Sequence, residues 1–168
     1  RKISSQLKPM NLNQQVEETK NLLRQSIPKM IALDLELQDH LHTVNADPTQ
    51  IEQILINFAL NARDAMVDGG RIVIQTKNVV LDEKFCKTRP EMKPGDYVVL
   101  SVADSGLGMD RETLQHIFDP FFSTKESSID MGLGLAITYG IVKDYRGDIQ
   151  LTSQEGRGTT FKLSFAVT

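Results

Sequence analysis

An α/β (α+β) sandwich, in which a mixed β-sheet is packed on one face by about three helices, is the fold this sequence predicts, and three observations predict it. Apolar residues recur at helical spacing in separate stretches, β-rich runs fall between them, and several of those runs come in pairs around a turn. Strands and helices therefore alternate irregularly, unlike the regular beat of a doubly wound parallel sheet. The chain has 168 residues, 40% of them hydrophobic, which suffices for one domain with a core and not for two.

Each element follows from its residues. A short extended piece around Pro9–Leu12 leads into a helix with Asn13 as N-cap, Val16, Leu22, Leu23 and Ile27 on roughly one face, and Pro28 as its stop. Runs 31–37 and 41–46 alternate in polarity and read as two strands joined by a polar turn, with Leu33, Leu35 and Leu37 facing one way. Asp47-Pro48 supplies a cap and a first-turn proline for the strongest helix. Ile51, Ile54, Leu55, Phe58, Ala62, Ala65 and Met66 recur along it until Gly69-Gly70. Two β-rich runs, 71–81 and 96–104, are separated by a polar connection containing Pro90, Pro94 and Gly95, as in a hairpin with a protruding loop. A short helix near 110–117 interrupts the Gly-, Ser- and Lys-containing stretch 105–131. Another helix covers about 133–145 and closes at Gly147; strands near 148–153 and 159–166 then flank the turn Gly156-Arg157-Gly158.

Composition removes several functions. With 19 basic and 22 acidic residues the net charge is −3, which argues against nucleic acid as a partner. No apolar run reaches the roughly 18 residues of a membrane span. The single cysteine, Cys86, excludes an internal disulfide framework and suits a reducing, cytoplasmic setting. No secretory signal opens the chain, and a start at Arg1 suggests a piece of a longer protein.

Four short motifs carry chemistry. Asn57, Asn61 and Asp64 stand at i, i+4 and i+7 of the strongest helix, so they project within about 60° of one another. The stripe could be an ordinary solvated face, yet Asn is a middling helix former, and its carboxamide oxygen is a neutral hard ligand suited to Mg²⁺ among phosphate oxygens. Asp104-Ser105-Gly106-Leu107-Gly108 ends a strand; its carboxylate can accept from an exocyclic amino group, and its glycines permit close approach of a ligand. Gly132-Leu133-Gly134-Leu135 opens a helix, where unpaired amides can hold an anion or small residues can simply ease packing. Between them Phe118-Asp119-Pro120-Phe121-Phe122-Ser123-Thr124-Lys125 concentrates three of the chain's seven phenylalanines, as core anchors or as the fastening of a lid from which Lys125 reaches a phosphate.

In this order the four motifs resemble the N, G1, F and G2 boxes of the ATP-binding catalytic domain of sensor histidine kinases, hybrid ones included. That domain belongs to the superfamily of type II topoisomerase ATPase subunits, Hsp90 and mismatch-repair ATPases. The resemblance runs from about Asn11 to Val167. It implies ATP and Mg²⁺ as cofactors, with Asn61 as the metal ligand and Asn57 in a supporting role beside the phosphates. Asp104 would bind the adenine amino group, Gly106 and Gly108 would shape the base pocket, and Thr159 would approach Asp104 and the base. Gly132, Leu133, Gly134 and Leu135 would cradle the phosphates, residues 119–131 would form a loop lid over the nucleotide site, and Lys125 would be its cation. The chain departs from the pattern at Asp130, where a glycine is usual, and at His116, where many members carry Arg.

Position 57 also bears on the reaction. Hydrolases of the superfamily place a water-activating Glu there; Asn57 cannot act as a general base at neutral pH, which favours phosphoryl transfer to a protein over hydrolysis. None of His40, His42 or His116 has the context of a phospho-acceptor. The expected division is therefore 1–10 as the remnant of a dimerisation-hairpin helix and linker, with Arg1-Lys2-Ile3-Ser4 as its tail, and 11–168 as the catalytic domain. The acceptor histidine would lie on a hairpin upstream, and a response-regulator receiver would act downstream. The fragment would be monomeric, and the full protein a homodimer. A nucleotide sensor without kinase activity and a protein-serine kinase of the anti-sigma type are the alternatives; an ATP-driven clamp is disfavoured by the missing base.

Overall fold

The computed structural model describes residues 6–119 and 129–168, with residues 129–133 as backbone alone. The helix tail expected at Arg1–Ser4 lies outside these residues. In chain order the elements are β1 (Lys8–Met10), α1 (Leu12–Ser26), β2 (Ile31–Leu37), β3 (Val44–Ala46), α2 (Pro48–Ala65), β4 (Gly70–Leu81), α3 (Glu83–Cys86), β5 (Gly95–Asp104), α4 (Arg111–His116), α5 (Ile129–Asp144), β6 (Asp148–Gln154) and β7 (Gly158–Ala166). Among the described residues the main sheet runs β2-β4-β5-β7-β6, parallel at β2–β4 and antiparallel elsewhere, and β1 pairs with β3 in a second, small sheet. The mixed sheet and its helical cover are those the sequence predicts.

Register explains why one face is covered. Residues directly opposite on paired strands share a face. One row reads Leu35, Ile74, Val102, Phe161, Leu151 and the next Leu37, Thr76, Leu100, Leu163, Ile149, so this face is almost wholly apolar. Helix α2 lays Ile51, Ile54, Leu55, Phe58 and Ala62 onto it, and Phe58 stacks on Phe161 with ring centroids 4.4 Å apart. Helices α1 and α5 pack on either side of α2, and Leu12, Val16, Leu23, Leu135 and Val142 enter the same core. At the far end of α5, the Tyr145 hydroxyl accepts from the Asp47 amide at 3.1 Å and donates to Gln50, pinning α5 to the first turn of α2.

The opposite face carries its own cap. The connection after β4 forms α3 and buries Cys86, Met92 and Tyr97 in a separate small cluster. Arg89 clasps it to the sheet: its Nε lies 3.2 Å from the Asp148 carboxylate, and its guanidinium sits 3.9 Å above the Phe85 ring.

Three expectations need correction. Helix α1 is capped by Asn11, whose side chain accepts from the Asn13 amide at 2.8 Å; Asn13 instead donates its own carboxamide to Gln38 O. Residues 31–37 and 41–46 do not form neighbouring strands. His40, at a φ of 57°, turns the chain off the sheet, and Asn78 ties that turn by accepting from the His42 amide and donating to His40 O. Only 44–46 is extended, and it pairs with Lys8–Met10, so those residues are a strand of the fold. Helix α5 begins at Ile129, four residues before Leu133, which places Gly132 in its first turn and Gly134 in its second.

Candidate functional site

The third row of the covered face breaks the apolar pattern: Leu33, Ile72, Asp104, Thr159, Ser153. Asp104 thus stands where the sheet runs out of core. Its Oδ1 accepts the Gly106 amide at 2.9 Å and the Thr159 amide at 3.3 Å, which leaves Oδ2 for a ligand. Burial pushes this carboxyl up, and the two amide donors pull it back. Two glycines make the corner possible. Gly108 has a φ of +72°, and a side chain there would lie 2.0 Å from Gln154 O; Gly158, at +107°, would meet Asp104 O at the same distance. Leu107 bonds through its amide to Ala65 O at 3.0 Å, fastening the corner to the end of α2.

The other end lies where α2 meets α5. Asn57 donates Nδ2 to Gly134 O at 3.0 Å and reaches Thr138 Oγ1 at 3.4 Å, while the Thr138 hydroxyl donates to the same carbonyl at 3.0 Å. A side chain at Gly134 would press on the Asn57 carboxamide, 3.1 Å away, so a glycine lets the two helices meet here. One turn on, Asn61 is half-buried and makes no side-chain hydrogen bond among the described residues, leaving its amide oxygen for a ligand. Asp64 pairs with Arg63, whose Nε lies 3.3 Å away. From Asn57 to Ala65 is about 12 Å along the helix axis, so α2 spans the two ends. A carboxylate that takes a donor at one end and neutral oxygen ligands at the other suit a ligand with an amino-bearing ring and an anionic, metal-bound tail.

Residues 46–168, well over half of the chain, match the family described as histidine kinase-, DNA gyrase B- and HSP90-like ATPases. The chain belongs to this family. It is 42% identical over 145 residues to the sensor kinase CckA of Brucella abortus, covering 84% of this chain and 15% of that protein. It is 34% identical over 160 residues to the signal transduction histidine-protein kinase AtoS of Escherichia coli, covering 95% of this chain and 24% of that one. The chain thus spans under a quarter of the length of these kinases. Among solved structures, the nucleotide-free catalytic domain of the histidine kinase ThkA superposes with a TM-score of 0.77 at 31% identity, covering 97% of each chain. ThkA bound to the response regulator TrrA matches at 0.72 and 29%, covering 96% of this chain and 42% of that one. The fold is that of a histidine kinase catalytic domain.

Within this ATPase fold the structure brings Asp104, Gly106, Gly108 and Thr159 together at one corner and Asn57 with Gly134 at the other end. Leu135 is a core residue, 1% exposed, and its amide falls in the second turn of α5, where N–H groups are spent inside the helix, so the structure does not present it to a ligand. Gly132 and Leu133 are described by backbone alone, and Lys125 lies outside the described residues with most of the 119–131 segment. His116, where an Arg is usual, holds the Asp119 carboxylate with Nδ1 2.9 Å away. His40 and His42 belong to no metal cluster among the described residues, and no described helix is long and apolar enough to cross a membrane. Sequence reasoning missed Ser153, Gly158 and Thr138. Only the register of the β6–β7 hairpin, which sets Ser153 opposite Thr159, could have pointed to the first.

Proposed function

We propose that this chain is the catalytic half of a cytoplasmic two-component sensor kinase, binding ATP with Mg²⁺ and passing the γ-phosphoryl group to a histidine on a dimerisation hairpin outside residues 11–168. Asp104 receives the adenine amino group on its open Oδ2, beside Thr159, Gly106 and Gly108. Asn61 offers its amide oxygen to Mg²⁺, and Asn57 holds the start of α5 beside the phosphates. The unpaired amides of the first turn of α5, where Gly132 stands, would take the phosphate oxygens, and Lys125 would be the accompanying cation. When bound, Mg²⁺ supplies charge neutralisation on the transferred group. The protein's own share is positioning, with α2 and α5 as its frame.

The observation that carries the reading is Asn57. Its nitrogen is committed to Gly134 O, and a carboxamide takes no proton from water, so no base stands where hydrolysis needs one. The phosphoryl group is then kept for an imidazole nitrogen: the γ-phosphorus bond to the ADP oxygen breaks, an N–P bond forms, and the imidazole proton leaves to solvent. A receiver domain is the onward acceptor, consistent with the complex that ThkA makes with TrrA. Residues 1–10 join the hairpin to the domain, with Lys8–Met10 as the anchoring strand, and the full protein works as a homodimer whose hairpin supplies the dimer contact.

The test mixes the chain with Mg²⁺, γ-labelled ATP and its upstream hairpin supplied in trans. Label on the hairpin that is acid-labile and alkali-stable supports phosphohistidine; ATP binding without transfer overturns the kinase reading.

A further inference from the structure

Thr138 is a buried hydroxyl with no part in the reading above. It is 0% exposed, and its neighbours on the same face of α5, Leu135 and Val142, belong to the apolar core. A valine would fill that space with no hydroxyl to satisfy, so the oxygen's contacts have to account for it. The Thr138 hydroxyl donates to Gly134 O, one turn back in its own helix, at 3.0 Å. That bond satisfies the proton and adds nothing to the helix. The hydrogen bond that leaves α5 is the one with Asn57, whose Nδ2 lies 3.4 Å from Thr138 Oγ1.

The carbonyl decides the directions. It can only accept, so the Asn57 atom 3.0 Å from Gly134 O is the nitrogen and not the oxygen. The second proton of that nitrogen meets Thr138 Oγ1, which has given its own proton to the same carbonyl and turns lone pairs toward Asn57. Both protons of the carboxamide are then taken by α5, and Oδ1 is the atom left over. No buried side-chain oxygen among the described residues lacks a partner, so the unpartnered Oδ1 is open to solvent. It lies 3.1 Å from where a side chain on Gly134 would begin, and the glycine keeps it uncovered.

We infer that Thr138 is a positioning residue: by taking the second Asn57 proton it holds the carboxamide with its nitrogen against α5, so that Oδ1 is the edge offered to a metal-bound phosphate tail. This rests on the reading that α2 and α5 flank the phosphates. One bond leaves the amide plane free to swing about it, and two fix the plane. The orientation matters because the oxygen edge attracts a cation or accepts from its bound water, whereas the NH₂ edge only donates. Thr138 itself touches no ligand, and its effect passes through Asn57.

Two measurements on the 168-residue chain test this, and the first needs no ligand. In proton–nitrogen correlation spectra the Asn57 side chain gives a pair of amide resonances, identified by their loss in Asn57→Asp. Thr138→Val keeps the shape of the side chain but lacks the lone pair. One resonance of the pair should then move and exchange with water about fivefold faster, while the other, on Gly134 O, stays. Thr138→Ser, which keeps a hydroxyl, should bring the first one back. Serine is smaller than valine, so a packing defect would be mended less by it, and rescue by serine singles out the hydroxyl. The second measurement is calorimetric titration of ATP with and without Mg²⁺. In Thr138→Val the tightening by Mg²⁺ should fall about fivefold with the Mg²⁺-free affinity unchanged, and serine should restore it. If Thr138→Val does not fold, Thr138→Cys, whose sulfur is a weak acceptor, should shift both readouts the same way to a smaller degree. A parent that tightens on Mg²⁺ and a Val or Cys variant that keeps either its resonances or its tightening overturn the inference and leave the ATP reading standing. A parent whose ATP affinity ignores Mg²⁺ overturns the metal-bound reading of this end and the inference with it.

Discussion

The two ends of the site are built from different materials. At the base corner, main-chain amides of Gly106 and Thr159 hold the Asp104 carboxylate, and strand register sets each partner opposite the next. At the other end, side chains hold helices: the Asn57 carboxamide and the Thr138 hydroxyl both meet Gly134 O. At the corner the backbone packs too closely for added atoms, with Gly108 and Gly158 each 2.0 Å from a carbonyl oxygen where a side chain would start, whereas the helical end depends on two side chains meeting one carbonyl. The corner is thus brittle to substitution at glycine, and the helical end to substitution at the amides.

The largest effect should come from breaking what both ends share. Phe58→Ala removes the ring stacked on Phe161 beneath α2 and should cost about 3–5 kcal/mol, read from urea unfolding, with nucleotide binding lost along with the fold. Next, Gly158→Ala adds a methyl 2.0 Å from Asp104 O at a φ of +107°. A destabilisation of about 3 kcal/mol is expected, and a melting curve like the parent's would refute the brittle-corner view.

Asn61→Ala should move binding rather than stability. The tightening of ATP by Mg²⁺ should drop by about tenfold while the unfolding free energy stays within about 0.5 kcal/mol, which titrations with and without Mg²⁺ and one denaturation series can check. The smallest effect is expected at Asp104. Its carboxyl is raised by burial, so in the folded protein its ionisation opposes folding: the favourable contribution is full below the unfolded value, near pH 4, and fades as pH rises through the folded one. Asp104→Asn should therefore melt about 2 °C higher than the parent near pH 7, with the gap closing toward pH 4, even as base selectivity weakens.

Much of this was readable before any coordinates. The Asp47-Pro48 start of α2, the Phe58 stripe and the β4–β5 hairpin follow from local rules, because periodicity and capping act over a few residues. The four motifs also come in the order that the fold needs. What stayed hidden depends on contacts distant in sequence. The β2–β4 pairing is parallel and spans the whole of α2, so alternation in 31–46 suggested a hairpin that does not exist. Asn11 and Asn13 are equally good caps on paper, and groups distant in sequence decide which one is used: Gln38 O takes the Asn13 carboxamide nitrogen and the Thr76 hydroxyl occupies its oxygen. Ser153 carries no motif, and its hydrogen bond to Thr159 appears only when register sets the two opposite each other.

The Tyr145 pin has a mechanical consequence. From that hydroxyl to Ile129, α5 runs about 24 Å as a rigid rod held firmly at one end by Asp47 and Gln50. A tilt of about 5° about the pin carries the opposite tip roughly 2 Å, from the rise of 1.5 Å per residue. The bond from Asn57 to Gly134 O, partway along that rod, is the stop against which it rests. Loss of that one carboxamide would remove a restraint between the pin and the tip where Gly132 sits while leaving the pin itself untouched.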